Sequence, residues 1–145
     1  MEKKKLVEKN KNVLLTADGN LLPVAQKIVL AIVSRVNKND KDGHNYRFYI
    51  SDFFGSNSAE NKANMEKAMT SLLENPLEFE TEDEWFICNW ISSAEFYDNE
   101  NYVDVSYNPD LKPYLIWFQQ CFTIFRLKDI LKTNIEINIP LKMLE

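Results

Sequence analysis

Three observations predict an α+β fold in which helices lead into a β-hairpin, the order of a winged helix-turn-helix. Two amphipathic stripes of helical period, from Leu22 to about Asn37 and after Ser58, flank a short strand and the tight turn Gly55-Ser56-Asn57-Ser58. Three strand-like runs rich in aromatic and β-branched residues then follow between residues 77 and 107. The chain has 145 residues, 45% hydrophobic and 12% aromatic, enough for one domain with a sizeable core.

In the first helix, Val24, Ala25, Ile28, Val29, Ala31, Ile32, Val33 and Val36 form a broad apolar stripe, and Pro23 suits its first turn, where the missing N–H costs nothing. The polar run from Asn37 to Asn45 ends it as a loop. Tyr46 to Ile50 reads as a strand, with Tyr46, Phe48 and Ile50 on one face and Arg47 and Tyr49 on the other. Ser51 is positioned to cap a one-turn helix over Asp52–Phe54. In the third helix, Met65, Ala68, Met69, Leu72 and Leu73 form the core stripe, which leaves Asn61, Lys62, Asn64, Glu66, Lys67, Thr70 and Ser71 on the open side until Pro76 stops the helix.

Leu77–Glu80, Trp85–Phe96 and Tyr102–Tyr107 are the strand-like runs, separated by the turns Thr81-Glu82-Asp83-Glu84 and Asp98-Asn99-Glu100-Asn101. Asn108-Pro109 then offers a cap with proline at the first helical position, opening a helix to about Gln120. Phe122 to Leu131 reads as a short extended piece leading into a further short helix.

Several chemistries are excluded. The only histidine, His44, lies in a polar loop, so Cys88, Cys121 and His44 are too few and too scattered for structural zinc, and each cysteine reads as a small buried hydrophobe. The three glycines fall in neither GxxxxGK[ST] nor GxGxxG, which argues against a phosphate-cradling loop. No GxSxG elbow surrounds a serine, and no two of the many carboxylates stand out as a catalytic pair. Neither an enzyme nor a cofactor or metal site is expected. No apolar run approaches the ~20 residues that span a bilayer, and no secretory signal opens the chain, so a cytoplasmic protein without membrane attachment is expected.

Local words in the same order carry a resemblance. These are Gln26-Lys27-Ile28-Val29, Tyr46-Arg47-Phe48, Trp90-Ile91-Ser92-Ser93-Ala94, Tyr102-Val103-Asp104-Val105, Asn108-Pro109-Asp110-Leu111-Lys112-Pro113-Tyr114-Leu115, and Phe122-Thr123 with Leu127-Lys128. Residues 13–132 resemble the N-terminal winged-helix domain of theta-type plasmid replication initiators, which bind repeated origin sequences. PxLKPYL and FT are the most specific words. The resemblance implies that the third helix enters or lies along the major groove with the hairpin as wing. That places Asn61, Lys62, Asn64 and Lys67 at the groove, supported by Thr70 and Ser71; asparagine suits adenine and lysine suits guanine.

The resemblance also implies self-association, for which Trp85-Phe86-Ile87 and Trp90-Ile91 are candidates. The partners expected are therefore double-stranded origin DNA, a second copy as homodimer, and host replication proteins. Residues 1–12 read as a basic N-terminal arm, whose Lys3, Lys4 and Lys5 join the DNA-binding set together with Lys9 and Lys11. Residues 133–145 read as a C-terminal extension, or a truncated linker to a missing second winged helix.

Charge departs from the family pattern. The net charge is −5, and from Ala68 to Leu111 there are eleven acids and no Lys or Arg. DNA binding draws much of its affinity from cations that release counterions, so a wing tip of Asp98-Asn99-Glu100 is a poor clamp. The acids face a partner protein or a second subunit, or merely solvate strands. The alternatives kept open are a winged-helix protein-interaction module without DNA contact and a repressor-like transcription factor on the same fold.

Overall fold

The described residues form two antiparallel sheets with helices between their strands. The structure is a computed structural model that describes residues 10–17, 21–120 and 134–140. In the first sheet β1 (Asn10–Ala17) pairs with β3 (Leu77–Glu80) on one side and β7 (Asn134–Pro140) on the other. β3 also carries β4 (Trp85–Cys88), giving the order β4-β3-β1-β7. In the second sheet β6 (Tyr102–Tyr107) lies between β2 (Asn45–Tyr49) and β5 (Ile91–Phe96). The hairpin of β5 and β6 is the wing. The positive φ of Asn99 at its tip, 66°, is one that asparagine tolerates better than most residues.

The helices expected between residues 22 and 120 are present. α1 (Pro23–Arg35) opens on Pro23 and buries Ala25, Ile28, Val29, Ile32 and Val33. Burial of each Ile or Val there is worth roughly 1.5–3 kcal/mol. α2 (Ile50–Phe54) and α3 (Ala59–Glu74) form the helix-turn-helix. Gly55 closes α2 in the left-handed region at φ 81°, where its N–H reaches the Ser51 carbonyl at 2.8 Å. Ser58 caps α3 by accepting from the Asn61 N–H at 3.1 Å. The Asn108 side chain caps a 3-10 turn, Pro109–Leu111, that runs into α4 (Lys112–Gln120); Pro113 lies in the first turn of α4, where it costs no internal hydrogen bond.

One core joins these elements. Val13, Leu15, Leu77, Phe79 and Ile139 from the first sheet meet α1, Met65, Ala68, Met69 and Leu72 of α3, and Leu115 and Phe118 of α4. Phe79 packs against Tyr114 with ring centroids 4.4 Å apart. Gln119 donates to the carbonyls of Val33 and Val36, each at 3.0 Å, so α4 caps the C-terminal end of α1.

Four expectations are corrected. Ser51 does not cap α2, which begins two residues earlier than expected, at Ile50, taking that residue from the expected strand, with Tyr49 as its N-cap and no side-chain cap; the Ile50 N–H is satisfied instead by the Asn101 carbonyl at 3.0 Å. The run Trp85–Phe96 is not one strand. It breaks at Asn89-Trp90, where Trp90 enters the core and the chain passes from one sheet to the other. Leu73 is 42% exposed because it sits at the margin of the 3.6-residue stripe. Ser71, at the opposite margin, is buried rather than open, because the entry to α1 covers it and the Leu22 N–H donates to its hydroxyl at 3.2 Å.

β1 begins at Asn10, inside the stretch expected to be an arm, and β7 lies in the expected C-terminal extension. Lys3, Lys4, Lys5 and Lys9, Cys121, and the segment Phe122–Leu131 lie outside the described residues. No helix among the described residues is long and apolar enough to cross a membrane.

Candidate nucleic-acid interface

α3 presents its side chains in three ways. Along the open face Glu60, Ala63, Glu66, Lys67, Thr70, Leu73 and Glu74 are exposed, so Lys67 stands as a cation among three carboxylates. Thr70 returns its hydroxyl to the Glu66 carbonyl at 3.0 Å. Lys67 and Thr70 line an open groove of about 620 Å³ together with Leu22, Glu66, Glu74 and Asn75.

On one shoulder Lys62 is half-buried, and its ammonium donates to the Tyr97 carbonyl at 3.2 Å, just before the wing tip. On the other, Asn64 is half-buried and Ser71 is held by Leu22 and by Asn75, whose amide donates to its carbonyl at 2.8 Å. Asn61 is drawn back into the turn, where its amide donates to the Ser56 hydroxyl at 2.7 Å. The six α3 residues singled out from the sequence therefore do not share one surface: Lys67 and Thr70 are open, Asn61, Lys62 and Asn64 are partly covered, and Ser71 is buried. Lys11 belongs to β1.

The wing is organised by charge that it keeps to itself. Register places Arg47 of β2 opposite Asp104 of β6, and the guanidinium makes two hydrogen bonds to that carboxylate, at 2.9 and 3.1 Å. Arg47 also lies over the Tyr102 ring, 3.8 Å from its centroid. The hydrogen bonds from Arg47 hold the Asp104 carboxyl below the usual carboxylate range against the opposing effect of burial, and Tyr97 adds to them with a bond of 2.9 Å. The same contact with Asp104 pushes the Tyr97 phenol up to about 12. A basic side chain that strand alternation placed on an open face is thus exposed but paired with a carboxylate of the neighbouring strand.

A second polar centre fixes the loop before β2. Asp40 accepts from the Tyr46 and Tyr107 hydroxyls, while Lys112 donates to its carbonyl. Burial pushes the Asp40 carboxyl up, but the bonds from Tyr46, the Asn37 backbone and Tyr107 outweigh it and leave the group lowered. His44 is exposed, 3.9 Å from Asp40. Cys88 is a half-buried thiol pushed up to about 11, by burial first and then by Asp110, which makes it a poor nucleophile. Among the described residues no cluster of His, Cys, Asp or Glu could hold a metal ion.

The structure separates the residues that the sequence offered for self-association. Trp90 and Ile91, candidates for self-association, are core residues, whereas Trp85 and Ile87 are 61% and 50% exposed. All four residues from Trp85 to Cys88 are apolar, so no polar alternation in the sequence marked which of them stay exposed.

A helix-turn-helix with a hairpin tied beside its second helix defines a winged-helix domain. The family model described as Initiator Replication protein, WH1, matches residues 7–137, and the chain belongs to that family of replication initiators. The family is that of an initiation domain, not a catalytic one. The fold is similar to the crystal structure of the WH1 domain of MSBI1.176, a replication protein isolated from a multiple sclerosis patient, with 19% identity and a TM-score of 0.50 over 73% of this chain and 88% of that one. No curated protein matches the sequence significantly.

Proposed function

We propose that this domain contributes to recognition of repeated plasmid origin DNA in the cytoplasm, with α3 as the reading helix and the β5–β6 wing beside it. The observation that carries the reading is the Lys62–Tyr97 bond, which ties the start of α3 to the wing so that helix and hairpin meet a duplex as one body. Lys67 and Thr70 are the contacts this reading relies on, with Asn64 at the margin and Lys3, Lys4 and Lys5 adding phosphate contacts. Glu60, Glu66 and Glu74 lower the affinity of a single domain, so origin binding draws on repeated sites or additional copies.

The test is a low-salt gel shift with duplexes carrying any short tandem repeats found beside the gene against random duplex of equal length. Preferential retardation of the repeats, lost in Lys67→Glu, supports the reading; no shift of either duplex refutes it.

A second reading, a protein-interaction module within the initiation complex, is favoured by a different observation. Trp85 and Ile87 stay exposed on a strand at the edge of the first sheet. A second copy and host replication proteins are the partners it admits.

A further inference from the structure

We propose that the edge of β4 docks an extended, basic segment of another protein, which adds to the first sheet as a further strand. The inference rests on the interaction-module reading and gives its partner a chemistry. β4 is the terminal strand in the order β4-β3-β1-β7, and among the described residues β3 is its only strand partner. Natural sheets guard such an edge with a very short strand, lysine, proline or a bulge, and β4 has the first of these in its four residues. The Trp85–Cys88 edge carries no lysine, proline or bulge.

The strand is also firmly placed. Phe86 points inward and stacks on Phe79, with centroids 4.9 Å apart and planes 9° from parallel, so the edge is held ready rather than frayed. The turn before it is braced where Thr81 accepts from the Glu84 N–H at 3.0 Å and pairs with the Asp83 carboxylate at 3.2 Å.

Charge decides the occupant. Register sets Glu80 opposite Trp85 and Glu78 opposite Ile87, and Glu82 and Asp83 crown the turn. No Lys or Arg occurs from Ala68 to Leu111, and among the described residues none forms an ion pair with these four carboxylates. Packing two copies through this face would bring like charges together, whereas a lysine- or arginine-bearing strand meets opposite charge.

In an added strand, alternate side chains point outward beside Trp85 and Ile87. Lysine stems there lie along the Trp85 ring and carry their ammonium groups towards Glu80 and Glu78. The intervening side chains extend the apolar inner face next to Phe86. The chemistry selected is therefore a segment that alternates basic and apolar residues.

The probe is a fluorescein-labelled octapeptide alternating lysine and valine, read by anisotropy against the full chain, with the glutamate-valine octapeptide as comparison. The lysine peptide is expected to bind at least tenfold more tightly. Trp85→Ser/Ile87→Ser should weaken it more than tenfold, and Glu78→Gln/Glu80→Gln several-fold, with circular dichroism verifying the fold of both. Equal binding of the two peptides, or undiminished binding to either variant, overturns the proposal. Sedimentation separates the readings: a dimer that Trp85→Ser/Ile87→Ser dissolves, with no peptide bound, assigns the face to a second copy and overturns the basic partner alone. Neither peptide binding nor dimer removes the interaction-module reading as well.

Discussion

Lys62 spends its ammonium on the Tyr97 carbonyl, 3.2 Å away, instead of extending it towards solvent. One of the residues that the sequence places at the groove is thus a strut between α3 and the wing. Lys62→Met should cost about 1 kcal/mol in urea unfolding and speed amide exchange from Tyr97 to Asn101. Lys67→Met, at an exposed position, should stay within about 0.5 kcal/mol of the parent. Equal effects of the two substitutions would contradict the assignment of a strut.

Gly55 takes a φ of 81° between α2 and α3, and among the described residues nothing lies within 4 Å of where a Cβ would stand. The cost of Gly55→Ala is therefore backbone strain without a clash, roughly 1–2 kcal/mol. A thermal scan measures it. An unchanged melting temperature would mean that the turn relaxes to another conformation.

Asp104 gives the wing an acid limit. Its native value is lowered by Arg47 first and Tyr97 next, against burial, while in the unfolded chain it titrates near ~3.9. Its contribution is thus fully present above that pH and is lost as pH falls through the lowered native value. Asp104→Asn should lower stability at pH 7 and flatten the fall in stability below about pH 4, measured by denaturant unfolding across that window. An identical pH profile in the variant would show that the pair is not linked to folding.

Gln119 closes α1 from α4, with its amide 3.0 Å from both the Val33 and Val36 carbonyls. Gln119→Ala should cost about 1 kcal/mol, whereas Gln120→Ala, one residue on and exposed, should be neutral in the same assay.

The elements most legible in the sequence are those with a strong period or a cap. The stripe of α1, the Ser58 cap and the Asn108-Pro109 start each follow from local chemistry, and the structure places them accordingly. β1 escaped because Val13, Leu14 and Leu15 are a brief apolar stretch beside a lysine- and asparagine-rich one, and its strand character comes from pairing with β3 and β7 across long separations. The break at Asn89-Trp90 escaped for the same reason: aromatic and β-branched residues continue through it, and only tertiary packing turns Trp90 inward.

The candidate site was less legible than the fold. Periodicity assigns Lys62 and Ser71 to the open side of α3, but Tyr97 and Leu22, distant in sequence, claim them. Arg47 is withdrawn in the same way by Asp104. A helical wheel shows which side chains avoid the core of their own helix; it does not show which other element will take them up.

The salt dependence of binding to duplex DNA carrying the origin repeats, compared between the parent chain and Lys67→Gln, tests the central claim most directly. Each phosphate neutralised contributes about −0.9 to the slope of log K against log salt concentration. The account predicts specific binding at low salt with a slope shallower by about one in Lys67→Gln. Binding with the same affinity and slope in the variant, or none by the parent chain, would contradict α3 as the reader.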